Sequence, residues 1–146
     1  MGEAHAAPAP TLVVVAAIIV EGGRILVTQR RPGTHLAGLW EFPGGKVEPA
    51  EDPRDAVRRE LLEELGIDAD AGQVLDVVFH RYPSKNVLLL FYAAKRRPDS
   101  PAPAPLHVAA LQWRAPAALD GDDLPAADLA ALPRIKRYAA DCAGSA

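Results

Sequence analysis

Cysteine is almost missing from this sequence of 146 residues. The single cysteine, Cys142, cannot form a disulfide within the chain, which fits a reducing cytosol, and its place in a tail of small residues argues against a catalytic role.

An excess of positive charge is missing as well, since the formal net charge is −3. This gives no general attraction to nucleic acid or to an anionic membrane, although a local basic pocket could still bind phosphates. We expect a cytoplasmic protein, a monomer with a dimer as the alternative, that binds neither a nucleic-acid polymer nor a membrane.

Signatures of two other protein classes are also missing. The apolar run at residues 11–20 is short, Glu3 precedes it without a cluster of positive residues, and its valines and isoleucines favour a strand over a secretory signal. The phosphate loop of many kinases and ATPases, GxxxxGK[ST], fails because Trp40 stands at its first glycine and Val47 at its hydroxyl residue. A P-loop kinase or ATPase is therefore disfavoured.

The most informative stretch that is present covers residues 45–67. Asp52 suits a helix cap, Pro53 suits the first turn, and Gly66 is a good left-handed stop, so the pattern predicts a helix between them. Apolar residues at i, i+4 and i+8 should form the buried stripe of this helix. They are Val57, Leu61 and Leu65.

Acidic residues crowd one face of the same helix. Glu60, Glu63 and Glu64 sit at i, i+3 and i+4, a spacing at which like charges repel and destabilise an isolated helix. A sequence keeps such a cluster when a cation sits among the carboxylates. Oxygen ligands without cysteine or histidine point to Mg²⁺, with Mn²⁺ as the alternative, and not to zinc.

This stretch resembles the signature of the Nudix hydrolases at every fixed position. The preceding run Trp40-Glu41-Phe42-Pro43-Gly44 resembles the MutT-type branch, which sanitises nucleoside triphosphates. The resemblance implies an α+β fold, the Nudix-type α/β/α sandwich with a mixed sheet, over residues 11–141. We expect residues 1–10 to be a disordered leader and residues 142–146 a flexible tail. The matching positions are Gly45, Glu51, Arg59, Glu60, Leu61, Glu63, Glu64, Gly66 and Ile67.

The resemblance also implies roles for these residues. Metals held by the glutamates would act as Lewis acids and generate hydroxide for attack on a phosphoanhydride. The backbone of Gly44 or Gly45 is a further candidate ligand. Arg59 is interpreted as a clamp, ion-paired with Glu51, that keeps the loop against the helix, and the sequence leaves open whether Glu51 also binds metal. The candidate metal ligands are Gly44, Gly45, Glu51, Glu60, Glu63 and Glu64, and the candidate catalytic residues are Arg59, Glu60, Glu63, Glu64 and His107.

His107 departs from the resembled pattern. Counting back from Trp113, it stands where related MutT-type sequences carry an acidic metal ligand or base. Imidazole suits Mg²⁺ poorly, so either this role is lost or His107 acts as a base through a water. The alternative is an exposed histidine at the edge of a strand.

Four residues are candidates for substrate contact. Arg30 aligns by spacing with a substrate-contacting arginine of MutT-type enzymes, and Tyr82 aligns with an aromatic that packs against the base. Phe42 belongs either to the core or to the base pocket. Lys46, beside the glycines, is placed to meet phosphate oxygens, with an ordinary solvated lysine as the alternative.

Asp128 is the fifth candidate. It ends a segment, residues 124–128, that resembles the PxAN or PxAD motif whose last residue contacts the nucleobase. An ionised aspartate only accepts hydrogen bonds, and guanine offers two adjacent donors, N1–H and N2–H, whereas cytosine offers a donor beside an acceptor. An ionised Asp128 therefore favours guanine, unless it only caps a helix turn.

We expect a Mg²⁺-dependent nucleoside triphosphate pyrophosphohydrolase with 8-oxo-dGTP as its leading substrate. The runner-up is a (d)CTP or modified-pyrimidine pyrophosphatase. ADP-ribose and dinucleoside polyphosphates remain alternatives, because the signature specifies the diphosphate chemistry and not the base. A non-catalytic nucleotide-binding module is the alternative from another class.

The remaining pattern predicts strands joined by turns and a C-terminal helix. Gly22-Gly23 suits a tight turn between the first two strands, and residues 83–85 suit the turn of a hairpin. Residues 124–140 read as a helix interrupted by Pro133. The predicted strands cover residues 12–20, 25–30, 40–42, 74–82, 86–95 and 107–113.

Overall fold

The structure is a computed structural model that describes residues 8–144. Within this range, eight strands, two α-helices and a short 3₁₀ helix at Pro116–Ala118 follow one another along the chain. In chain order, the α-helices and strands are β1 (Thr11–Ile18), β2 (Val20–Glu21), β3 (Arg24–Gln29), β4 (Trp40–Glu41), β5 (Gly44–Lys46), α1 (Pro53–Leu65), β6 (Ala69–Arg81), β7 (Asn86–Arg96), β8 (Ala110–Arg114) and α2 (Ala126–Gly144).

The strands form two sheets. The larger sheet has the order β5-β1-β7-β6 and is mixed, because β1 and β7 run parallel while the other two pairs are antiparallel. The smaller sheet is antiparallel and centres on β3, which pairs with β2, β4 and β8. No helix among residues 8–144 is both long and apolar enough to cross a membrane.

The two α-helices pack on opposite faces of β1. Ala16 and Ile18 belong to the core cluster that contains α2, whereas Val15 and Ala17 belong to the cluster that contains α1. Successive side chains of a strand point to opposite faces, so a strand buried on both faces reads as a continuous apolar run. The run that invited a secretory interpretation is therefore the central strand of a sheet between two helices.

The predicted helix α1 forms with the expected ends. The Asp52 carboxylate accepts a hydrogen bond from the Arg54 N–H at 2.9 Å, and Gly66, with φ of 69°, donates its N–H to the Leu62 carbonyl at 3.0 Å. Val57, Leu61 and their apolar neighbours on this face are buried. The helix thus presents its remaining faces to solvent and to β5.

Two strands differ from the prediction. β6 begins at Ala69, five residues before the predicted Val74, and its pairing with β7 shifts register between residues 71 and 76. Gly72 and the two aspartates in this part of the strand do not favour a strand by composition, so β7 imposes it. β5 lies at residues 44–46, where no strand was predicted. Its two glycines carry no strand signal, and pairing with residues 14–16 of β1 creates it.

Three other expectations change at the C-terminal side. β8 begins at Ala110, so His107 precedes the strand instead of lying in it. α2 runs continuously through Pro133, whose missing N–H costs one intrahelical hydrogen bond. The same helix includes residues 142–144, where a flexible tail was expected. Residues 1–7 and 145–146 of the expected leader and tail lie outside the described part of the chain, and residues 8–10 have no regular structure.

Candidate active site

Strand β5 passes directly over the carboxylate face of α1. The Gly44 N–H donates to Glu64 Oε1 at 3.0 Å, and a Cβ atom at Gly45 would lie 2.4 Å from the Glu60 carboxyl carbon. Glycine is therefore required here because the strand backbone approaches the carboxylates too closely for a side chain. Glu63 lies at the solvent edge, since its side chain is 55% exposed against 16% for Glu60. Glu60 and Glu64 form the inner carboxylate pair.

Arg59 ties Glu60 to the loop before the helix. Its Nε and Nη2 atoms donate to the two Glu51 oxygens at 2.8 and 2.9 Å, so the expected ion pair is present and bidentate. Nη1 donates to Glu60 at 2.9 Å, and Nη2 also donates to the Lys46 carbonyl at 2.9 Å. The hydrogen bond from Arg59, helped by the Glu48 N–H, lowers the pKa of Glu51 to about 2. Arg59 therefore fixes β5, the loop and the helix to one another.

The inner pair is short of positive charge. Burial raises the pKa of Glu64 to about 8, with further contributions from the charges of Glu60 and Glu41. Burial also raises the pKa of Glu60, although its hydrogen bond with Arg59 opposes the rise. Two desolvated carboxylates, of which only Glu60 is bonded to an arginine, are costly to ionise together unless another cation joins them.

The donor set of this face suits a divalent metal, although the side chains are not arranged around one. Among residues 8–144, no three acidic, histidine or cysteine side chains converge on a common point. Glu51, Glu60 and Glu63 turn to Arg59, and Glu64 turns to the Gly44 N–H. All the available donors are oxygens, the preferred ligands of Mg²⁺ and Mn²⁺, and Glu64 forms no salt bridge among residues 8–144. The chemistry of this donor set therefore fits such an ion.

A cavity of about 310 Å³ opens beside β5 and contains all five expected substrate contacts. Gly44 and Gly45 form part of its wall, so the cavity reaches the strand that covers the carboxylate face. The sequence could align these positions with a family pattern but could not place them around one space. The five residues are Arg30, Phe42, Lys46, Tyr82 and Asp128.

The two aromatic candidates occupy different environments. Phe42 is only 3% exposed and meets Phe91 edge-on at 6.3 Å, so it belongs to the core and to the cavity wall at once. Tyr82 is more open and contacts the rings of His35 and His80 edge-on. The Lys85 ammonium lies 5.6 Å from the Tyr82 ring centre. Tyr82 is therefore the aromatic face that a base could cover.

Glu41 is a cavity residue that sequence analysis missed. Its carboxylate pairs with Arg30 at 3.0 Å, and the same guanidinium donates to the His35 carbonyl. Burial raises the pKa of Glu41, although the charge and hydrogen bond of Arg30 oppose the rise. The available signal was an acidic residue within a short apolar strand. The charge of Arg30 at the cavity wall is therefore partly neutralised by Glu41.

Asp128 lies within the first turn of α2, not at its cap, because the helix begins at Ala126. It is 5% exposed, the Phe42 backbone N–H donates to its carboxyl group, and Oδ2 has no hydrogen-bond partner. Burial raises the pKa of Asp128 to about 8, and the nearby charge of Glu41 adds to the rise. The expected preference for guanine assumed that Asp128 is ionised. Burial disfavours the ionised form.

His107 does not join the other candidates. Its side chain is exposed and does not line the cavity. Its backbone N–H donates to the Glu64 backbone carbonyl at 3.1 Å, at the C-terminal end of α1. This contact closes the helix end with backbone atoms alone. A role as base through a water has no support in this arrangement.

We expect His107→Ala to keep kcat/KM within about twofold of wild type at every pH between about 6 and 9, because only its backbone touches α1. Steady-state kinetics of the two proteins across this range provide the check. A lower rate in the variant, with the acidic limb of the profile lost, would restore the imidazole as a base.

Comparison with known proteins identifies the family of this chain. A match to the NUDIX domain covers residues 9–136. This chain belongs to the NUDIX family. The solution structure of the E. coli ORF135 protein has a TM-score of 0.77 and 36% sequence identity, with 91% of this chain and 94% of that chain covered. The Nudix-type α/β/α sandwich predicted from the sequence is thus confirmed.

Three curated relatives of this NUDIX protein differ in name and coverage. The 8-oxo-dGTP diphosphatase of Escherichia coli strain K12 is 32% identical over 117 residues, which cover 80% of this chain and 89% of that protein. The 8-oxo-dGTP diphosphatase of Proteus vulgaris is 44% identical over 47% of this chain. The CTP pyrophosphohydrolase of E. coli K12 is 60% identical over 41% of this chain. The chain spans 61% of the Proteus protein and 44% of the CTP pyrophosphohydrolase.

Proposed function

We propose that this NUDIX protein is a divalent-metal-dependent pyrophosphohydrolase that converts a nucleoside triphosphate and water to a nucleoside monophosphate and pyrophosphate. The observation that carries the proposal is the desolvated pair Glu60 and Glu64 under the glycine strand β5, beside a cavity lined by basic and aromatic side chains. We further propose that the substrate is a free cytoplasmic nucleotide and that the protein acts as a monomer.

In this proposal, Glu60 and Glu64 hold Mg²⁺ or Mn²⁺, with Glu63, Glu51 and the backbone of β5 as the further ligands. When bound, the ion supplies Lewis-acid stabilisation of charge that develops on phosphate oxygens. Arg59 keeps β5 and the loop in place through its bonds to Glu51 and to the Lys46 carbonyl.

The cavity residues bind and orient the nucleotide. Lys46, the last residue of β5, follows the glycines that cross the carboxylates and meets the phosphates there. Tyr82 and Phe42 flank the base, and Asp128 faces its polar edge. Holding the reacting phosphate next to the ion, with little freedom to reorient, supplies much of the rate enhancement expected of such a site.

Two substrates have specific support. The 8-oxo-dGTP diphosphatase of E. coli, which aligns over 80% of this chain, favours oxidised dGTP as the leading substrate. The CTP pyrophosphohydrolase segment at 60% identity favours (d)CTP as the second candidate. Asp128 is compatible with both, depending on its protonation.

A panel of nucleotides, compared by kcat/KM with their products identified, tests the proposal. We expect 8-oxo-dGTP or (d)CTP to exceed ADP-ribose and dinucleoside polyphosphates by at least about tenfold, which corresponds to 1.4 kcal/mol of differential binding in the transition state. A higher rate with ADP-ribose would contradict the substrate class. Binding without turnover for every nucleotide at saturating Mg²⁺ would indicate a nucleotide-binding module.

A further inference from the structure

Two walls of the cavity come from distant parts of the chain. One wall contains Glu41 and Phe42, at the end of β4, and the other contains Pro125 and Ala127, at the start of α2. The connecting segment, residues 119–125, leads into α2 without forming a helix or a strand. The distance between the two walls therefore depends on what holds this segment in place.

Arg114, the last residue of β8, joins the connecting segment to β4. Its Nη1 and Nη2 atoms donate to the two Asp123 carboxylate oxygens at 3.2 and 2.9 Å, and its Nε atom donates to Gln112 Oε1 at 3.0 Å. The same guanidinium lies 4.9 Å from the centre of the Trp40 ring. The Trp40 N–H in turn donates to the Asp123 carbonyl at 2.8 Å. Arg114 itself does not line the cavity.

The register of the smaller sheet explains how Arg114 reaches Trp40. Arg114 lies opposite Ile25 of β3. Trp40 lies opposite Gln29, four residues further along the same strand. Residues an even number apart on a strand share a face, so both side chains project from one side of the sheet. The Arg114 side chain is only 13% exposed, and a bidentate, stacked guanidinium in such a place holds its partners more firmly than an exposed ion pair does.

We propose that Arg114 is a positioning residue for nucleotide binding, which holds the start of α2 against β4 and so fixes the width of the cavity. This inference rests on the function proposed above. The carboxylate face is held separately, because Arg59 fixes β5 and the loop to α1. Leu119 and Leu124 stay buried without Arg114, so the connecting segment loosens but does not detach. Loss of Arg114 should therefore weaken nucleotide binding and leave the chemical step intact.

Steady-state kinetics of Arg114→Ala with 8-oxo-dGTP and with dCTP, at saturating Mg²⁺, test this proposal. We expect KM to rise about tenfold while kcat stays within about threefold of wild type, because a uniform binding contribution is removed. Both nucleotides should be affected equally, since Arg114 contacts neither base. The Kd of dCMP, measured by calorimetry without metal, should rise by the same factor.

Arg96→Ala is the matched control. It removes a similar bidentate pair, with Glu21 at 2.7 and 3.0 Å, and Arg96 does not line this cavity. Its KM should equal that of wild type. Urea denaturation of both variants establishes that they are folded under the assay conditions. If Arg114→Ala does not fold, Asp123→Asn takes its place, since it keeps the backbone carbonyl and weakens only the ion pair. We expect this variant to raise KM about threefold at unchanged kcat.

A double-mutant cycle separates action through Asp123 from other roles of Arg114. If the arginine acts through this partner, Arg114→Ala/Asp123→Ala should raise KM no more than Arg114→Ala does, whereas additive effects would overturn the inference. The inference is also wrong if Arg114→Ala has the KM of Arg96→Ala, lowers kcat at constant KM, or affects one nucleotide alone. In each of these cases the proposed function stands, because wild type hydrolyses the nucleotides. Absence of hydrolysis by wild type would refute the proposed function and the inference with it.

Discussion

Replacing Glu64 with glutamine should lower kcat by roughly two to four powers of ten, since Lewis-acid stabilisation of a phosphoryl transition state contributes several kcal/mol. The amide keeps the size of the side chain. Its oxygen can still accept the hydrogen bond from the Gly44 N–H, which is 3.0 Å long in wild type. It removes the negative charge that a divalent ion would neutralise. The loss should therefore appear in turnover and in Mg²⁺ dependence, and not in the fold.

The same substitution should raise stability in metal-free buffer at alkaline pH. The pKa of Glu64 in the folded protein is raised from 4.5 to about 8. Below pH 4.5 Glu64 is neutral in both states, and its contribution to the free energy of unfolding is fully present. This contribution is lost as the pH rises from 4.5 through about 8, because the carboxyl group ionises more readily in the unfolded chain. Relative to Glu64→Gln, wild type should lose at most about 1.4 kcal/mol per pH unit within that window. Urea denaturation with a chelator present measures the difference.

Glu48→Gln provides the control for both measurements. Its side chain is 64% exposed and approaches Arg59 only at 3.7 Å, so kcat and stability should stay near wild type. Near-normal turnover by Glu64→Gln at saturating Mg²⁺, with Glu48→Gln behaving alike, would contradict the assignment of Glu64 as a metal ligand.

Gly44→Ala should lower stability, whereas Gly45→Ala should lower activity. A Cβ at Gly44 would lie 1.9 Å from the Val15 carbonyl oxygen, an atom of the paired strand that cannot move away. We expect Gly44→Ala to lower the free energy of unfolding by at least about 3 kcal/mol, because the clash breaks the β1–β5 pairing. The three atoms nearest to a Cβ at Gly45 all belong to the Glu60 carboxyl group, at the end of a flexible side chain.

Gly45→Ala should therefore fold and lose activity. Displacing the Glu60 carboxylate costs about 1 kcal/mol or less in stability, but a shift of a ligand of this size should lower kcat by roughly a hundredfold. Urea denaturation and steady-state kinetics on both variants separate the two effects. Gly121→Ala is the control, since its Cβ would make only an ordinary contact at 3.9 Å with Leu129. Equal stability of Gly44→Ala and Gly121→Ala would show that β5 does not approach β1 this closely.

The helix α1 and its acidic face could be predicted because their signals are local. A cap at Asp52, a left-handed stop at Gly66 and the i, i+4 spacing of Glu60 and Glu64 lie within one short stretch of chain. The strand β5 gave no such signal, because glycines form a strand only when a partner strand holds them. Its pairing with residue 15, thirty positions away, decides its structure.

Protonation states could not be predicted for a related reason. The sequence identifies Asp128 as an acid near a helix start, but its burial depends on the tertiary packing of α2, and its pKa depends on that burial and on the charges of Glu41 and Arg30. The strand expected from His107 onward starts three residues later, at Ala110, because a position counted from Trp113 does not reveal where pairing with β3 begins. Spacing along the chain predicts which residues share a helix face, whereas tertiary contacts set their environment.

The most direct test of the central claim is product identification for a nucleoside triphosphate incubated with catalytic amounts of wild-type protein, with Mg²⁺ and with a chelator. The account predicts nucleoside monophosphate and pyrophosphate in equal amounts with Mg²⁺ present, and no turnover with the chelator. Release of nucleoside diphosphate and orthophosphate, or equal turnover in the chelator, would contradict it.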